Sequence, residues 1–213
     1  MNISVIPQFL QLTKRPCLML GENHEAITKG EILLDAGAEL YVISEKKDLW
    51  PKQIADRCNW LPAPFKPEYL ENIWLVISAL EDRSINSGIY AACEKRKIFL
   101  NVVDQPEFCS FIWPAVVKKP PFTIAISTGG QGPALAGWLR RKLEKELPEN
   151  LYELTNWFAK WRKLSCSHIP TLQERGKFWR NLFDGGLLEI YLSGNIKKAD
   201  DIIKGALETD KKN

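Results

Sequence analysis

The chain has 213 residues, 45% hydrophobic and 26% charged, with a formal net charge of +3. That balance is globular and excludes a disordered chain, apart from the tail Thr209-Asp210-Lys211-Lys212-Asn213. The surplus charge lies after residue 150, where 11 basic residues stand against 8 acidic ones; it is too weak to argue for nucleic acid as a partner.

The opening Met1-Asn2-Ile3-Ser4-Val5-Ile6-Pro7 has neither the basic region nor the long apolar run of a signal peptide. No stretch approaches roughly 20 apolar residues, so no membrane span is expected. A cytoplasmic location follows as an expectation. The cysteines at 17, 58, 93, 109 and 166 form no CxxC pair, which argues against a zinc ribbon or a disulfide framework. No His/Cys/carboxylate cluster has metal-ligand spacing, so no metal-ligating residue is expected.

Cys17-Leu18-Met19-Leu20 is a short, wholly apolar strand ending at Gly21. From Glu25 to Ala36 the apolar positions suit a helix packed on a sheet, and Gly37 stops it. Leu40-Tyr41-Val42-Ile43 is a second buried strand, which completes a βαβ unit with parallel strands. Further strands are predicted at Trp74–Ala79 and Ile98–Val103, with a helix from Asn86 to Lys95 between them. Continuous apolar runs fit strands covered on both faces, as in a doubly wound, Rossmann-like α/β sheet. A strand pair is predicted at Phe111–Val117 and Phe122–Ser127, turning at Lys118-Lys119-Pro120-Pro121. From Pro133 onward only helices are predicted: 133–147, 150–164, 171–182, 186–193 and 196–209. The expected division is a Rossmann-like domain over 1–113, a small β-containing dimerisation region over 114–145 and a helical domain over 146–213.

The first loop reads Gly21-Glu22-Asn23-His24-Glu25-Ala26. A dinucleotide fingerprint, GxGxxG or GxGxxA, uses its first Gly for the tight turn, its second for close approach of the pyrophosphate and its third, small, position for packing. Gly21 and Ala26 match. Asn23 replaces the middle Gly; it is the best non-Gly residue for positive φ, but its side chain takes up phosphate space. Glu22 and Glu25 add negative charge where an anion belongs. Whether this loop still binds NAD is left open by the residues alone. Gly21, Asn23, His24, Glu25, Glu45 and Lys46 are the candidate cofactor-binding residues, Glu45 standing where a ribose-binding carboxylate is expected. His24 in that loop is otherwise an ordinary exposed histidine. Asp104 follows the predicted strand 98–103, at the end where open α/β sheets bind ligands; a turn or cap role also explains it.

Several segments together resemble the N-terminal module of siroheme synthase and its free-standing relatives, the precorrin-2 dehydrogenase/sirohydrochlorin ferrochelatase family. They are Cys17–Gly21, Leu34–Ala38, Asn101-Val102-Val103-Asp104-Gln105-Pro106, Ser110–Ala115, Ala125-Ile126-Ser127-Thr128-Gly129-Gly130 and Glu174–Trp179. The resemblance spans residues 5 to 205. It implies NAD-dependent oxidation of precorrin-2 to sirohydrochlorin, with ferrous iron inserted as a second substrate to give siroheme. It also implies Asp104 as the catalytic carboxylate, Ser127, Thr128, Gly129 and Gly130 as tetrapyrrole-binding residues, and a homodimer. Lacking the methyltransferase module, the chain is expected to receive precorrin-2 from a separate uroporphyrinogen methyltransferase. Two alternatives stay open: a chelatase without oxidation, and a non-enzymatic tetrapyrrole-binding protein with a degraded NAD site.

Overall fold

A computed structural model describes residues 5–210. The chain divides into two compact units. One comprises residues up to Ala115 together with Ala125–Arg140; the other comprises Val116–Ile124 together with residues from Arg141 on.

The first unit carries a five-stranded, wholly parallel sheet. Its strands are β1 (Pro16–Leu20), β2 (Glu39–Ile43), β3 (Asn59–Leu61), β4 (Leu75–Ser78) and β5 (Phe99–Val102), in the spatial order β3-β2-β1-β4-β5. β1 lies at the centre and explains the unbroken apolar run. Cys17 and Met19 pack into one core layer and Leu18 and Leu20 into the other, all four wholly buried. A strand covered on both faces has no solvent side on which to place polar residues.

The first layer also takes α1 (His24–Asp35), through Ala26 and Leu33, and the short α2 (Lys52–Ala55), through Ile54. The opposite layer takes α3 (Arg83–Arg96), through Ile89 and Cys93. Gly37 follows α1 at φ +80, the left-handed end expected of a stopping glycine. α3 is capped by Asp82, whose carboxylate accepts the Ser84 and Ile85 amides; the Ser84 hydroxyl and these amides hold its carboxyl below the ordinary value.

β3 was not expected. It has three residues, pairs only with β2 and carries half-buried Trp60 rather than an apolar run. At the other edge, β5 pairs with β4 alone, and the side chains of the following segment close its outer side. Ser110 exchanges bonds with the amide and carbonyl of Leu100, and the Cys109 thiol does the same for Val102.

The two-stranded sheet pairs β6 (Ala115–Lys119) with β7 (Phe122–Ile126). It begins later than the expected Phe111. Phe111 and Trp113 pack instead on the first core layer, and Pro114 has no amide to donate to a ladder. The turn narrows to Pro120-Pro121, because Lys118 and Lys119 belong to the strand.

The helices are α4 (Pro133–Glu146), α5 (Leu151–His168), α6 (Leu172–Asp184), α7 (Leu187–Leu192) and α8 (Ile196–Asp210), within a few residues of the predicted spans. α5 to α8 enclose a core of Trp161, Phe178, Trp179, Leu187, Tyr191, Ala199, Ile203 and Leu207. The indole N–H groups of Trp157 and Trp161 both donate to Oδ1 of Asp200, each at 2.8 Å, joining α5 to α8. Among the described residues, no helix is long and apolar enough to cross a membrane.

Candidate functional site

The strand order reverses between β1 and β4, so the carboxyl ends of these neighbours form the crevice in which open parallel sheets bind ligands. Gly21 leaves β1 at φ +118, a conformation that L side chains rarely adopt. A Cβ there would stand 3.4 Å from the Ala79 backbone at the end of β4. Conformation and close approach therefore both call for glycine.

Asn23 corrects the expectation of a positive φ. Its φ is −77 and its ψ 174, extended backbone open to any residue. It is the N-cap of α1. Oδ1 accepts the Ala26 amide at 3.0 Å, and Nδ2 donates to the Ala79 carbonyl at 2.8 Å. The side chain is thereby tied between the helix and β4. The Asn23 carbonyl accepts the Ile27 amide, while the amides of exposed His24 and Glu25 find no acceptor among the described residues. Two free N–H groups at a helix N-terminus suit a pyrophosphate.

The two loop glutamates are also engaged. Glu25 pairs with Lys29, whose stem is buried and whose ammonium lies 5.6 Å from the Trp113 ring. Glu22 accepts the Ser44 hydroxyl at 3.0 Å, and Ser44 in turn accepts the Lys46 amide at 3.1 Å. The loop therefore fits an anionic dinucleotide despite its two acidic residues. Beneath it, the Trp50 indole donates to the Gly21 carbonyl at 3.3 Å. Glu45 and the Lys46 side chain stand exposed just beyond β2.

Asp104 follows β5 at the same carboxyl end of the sheet, exposed, with φ +57. No donor among the described residues reaches its carboxylate. Its neighbour Gln105 is 7% exposed and holds the turn in place. Nε2 of Gln105 donates to the Glu81 carbonyl at 3.1 Å, bridging to the segment that follows β4, while Oε1 is buried without a partner. Gln105 and the Glu22–Ser44 contact were not singled out by sequence reading: both are pairings between segments distant in the chain, for which no short motif exists.

Ser127–Gly130 follow β7 as a tight turn leading into α4. The Ser127 hydroxyl accepts the Gly129 amide at 3.1 Å, and the Thr128 hydroxyl accepts the Gly132 amide at 2.9 Å. Gly129 and Gly130 have φ +63 and +81, and space is open beside Gly130. No hydrogen bond joins this turn to the Asp104 turn among the described residues. These also hold no group of three or more metal-ligating side chains. Burial pushes the thiols of Cys17, Cys58 and Cys93 up to about 11, 11 and 12, which leaves them inert.

Comparison with known proteins accords with this layout. Residues 8–115 match a sequence-family model described as putative NAD(P)-binding, residues 121–146 one described as sirohaem biosynthesis protein central, and residues 150–207 one described as sirohaem synthase dimerisation region. Siroheme synthase 1 of Yersinia enterocolitica is 35% identical over 210 residues, which is 98% of this chain and 44% of that protein. Siroheme synthase of Zymomonas mobilis is 34% identical over 209 residues, 96% of this chain and 44% of that protein. The chain thus spans less than half the length of these curated relatives. A solved structure described as SirC, precorrin-2 dehydrogenase, has the same fold, with a TM-score of 0.67 at 18% identity over 98% of this chain and all of that one. With the putative NAD(P)-binding model covering half of its length and the two sirohaem models following in order, the chain belongs to the sirohaem synthase family.

Proposed function

We propose that this chain oxidises precorrin-2 to sirohydrochlorin with NAD and then inserts ferrous iron, a substrate, to give siroheme. The observation that carries the reading is Asp104: a carboxylate with no partner among the described residues, at the same carboxyl end of the sheet as the Gly21–Ala26 loop, on a turn fixed by Gln105. The names borne by the relatives and by the similar structure support the substrate class.

The oxidation removes a hydride and a proton from the macrocycle. Bound NAD supplies the hydride acceptor. The chain binds the dinucleotide at Gly21, Asn23, His24 and Glu25, with Glu45 and Lys46 beyond β2. The Asp104 carboxylate takes the proton, and Gln105 holds the turn that presents it. In the second reaction the two pyrrole N–H protons leave as iron enters, and the same carboxylate, exposed to solvent, takes them one at a time and passes each to water. The Ser127 and Thr128 hydroxyls each accept a main-chain amide and keep their own proton to donate to the substrate's carboxylates, with Gly129 making the turn and Gly130 leaving room for its approach.

The matched segments support boundaries near 113 and 146, with the dimerisation description falling on residues 150–207 rather than on 114–145. The dimerisation description of residues 150–207, with Leu164 and Leu172 exposed there, supports a homodimer. The precorrin-2 it uses is the product of a uroporphyrinogen methyltransferase reaction, in the cytoplasm.

The test is turnover. Purified protein with precorrin-2 and NAD gives the absorbance of sirohydrochlorin. Asp104→Asn lowers the rate by about 100-fold or more, as loss of a general base does, while NAD affinity is kept. No oxidation at any NAD concentration would overturn the reading.

A further inference from the structure

We infer that Glu22, inside the phosphate loop, is the residue that selects NAD over NADP. The inference rests on the reading of the β1–β4 crevice as a dinucleotide site.

In doubly wound folds of this kind the adenosine ribose lies at the carboxyl end of β2, where a carboxylate accepts its hydroxyls; where a 2′-phosphate is bound instead, a basic group stands nearby. Glu45 has the right sequence spacing for the carboxylate, yet it stands exposed, with no side-chain bond to a described residue. Glu22 reaches the place from the other side. Its Oε2 accepts the hydroxyl of Ser44, the first residue after β2, and the Ser44 oxygen accepts the Lys46 amide. These bonds orient the hydroxyl proton toward the carboxylate and keep a half-buried negative charge at the β2 end. Oε1 of Glu22 has no donor among the described residues, so it is open to a ribose hydroxyl. A 2′-phosphate in the same place would meet the carboxylate as a like charge.

The basic groups nearby do not offset this. Lys29 is committed to Glu25. The Lys47 ammonium lies over the Trp60 ring at 4.7 Å. The Lys46 side chain is exposed on a flexible stem, and its backbone amide is what anchors Ser44.

The test is calorimetric titration of the full chain with NAD and with NADP, without tetrapyrrole. Wild type binds NAD more tightly than NADP. Glu22→Gln keeps the size and the contact to Ser44 but loses the charge; it lowers the NAD-to-NADP affinity ratio by about tenfold or more. Ser44→Ala frees the carboxylate and lowers the ratio by a smaller factor. Circular dichroism equal to that of wild type shows that both variants are folded. Equal wild-type affinity for the two dinucleotides overturns the inference while leaving the site intact. So does a ratio that ignores Glu22→Gln and follows Lys46→Gln. Binding of neither dinucleotide removes the site reading and this inference together.

Discussion

At the scale of single residues, glycine and asparagine shape the first loop in different ways. Gly21 is needed for its backbone angle and its approach to Ala79, whereas Gly30 is needed for space alone. A Cβ on Gly30 would stand 2.8 and 2.9 Å from ring atoms of Trp50. The ring is 3% exposed and held by its bond to the Gly21 carbonyl, so it has little freedom to yield. Gly30→Ala therefore destabilises the protein by about 1–3 kcal/mol through overpacking, even though alanine is the better helix former by about 1 kcal/mol. Denaturant midpoints measure this, and an unchanged or raised midpoint would contradict it. Reading the sequence identified the loop but not the work of Asn23. A fingerprint compares residue types at fixed spacing, and in that comparison Asn is a defective Gly. Its bond to the Ala79 carbonyl joins positions 56 residues apart, which a local pattern does not contain. The position of Asp104 was legible for the opposite reason: it closely follows a strand whose end is plain in the sequence.

At the scale of elements, periodicity located the long helices and buried strands well, because burial on one face or on both leaves a signal in every residue of the run. β3 left none: its sequence, Asn59-Trp60-Leu61, is short and lies at the sheet edge, half-buried. The cap of α6 was not read from the sequence, which put Thr171 inside the helix. Thr171 before α6 forms a complete capping box with Glu174: the Thr171 hydroxyl accepts the Glu174 amide at 3.2 Å, and the carboxylate reaches back to the Thr171 amide. Thr171→Ala removes the side-chain half of that exchange and costs about 1 kcal/mol. The loss shows as a lower melting temperature of the helical signal; restoration by Thr171→Ser separates the cap from general damage.

At the scale of the whole molecule, the buried thiols set an alkaline limit. Cys17, Cys58 and Cys93 hold their protons in the folded chain up to about 11, 11 and 12, while the unfolded chain releases them near 9.0. Above pH 9 the folded state thus binds more protons than the unfolded one, so stability falls as pH rises toward 11. Below pH 9 both states keep these protons and the thiols contribute no slope. Denaturant midpoints at pH 8, 9.5 and 10.5 should fall in that order, and less steeply in Cys93→Ala. A flat profile through pH 10.5 would show that the thiols are accessible to base.

The edge of β5 bears on assembly. A bare strand edge is a template on which another chain can continue the sheet, and such edges seed aggregation. Here the outward amides and carbonyls of Leu100 and Val102 are already taken by Ser110 and Cys109. A serine hydroxyl and a thiol thus act as a selvedge, finishing the weave where a further strand would otherwise be knitted on. Copies of this chain that meet at this border must recognise one another by side chains and shape, because no backbone ladder is left there to share.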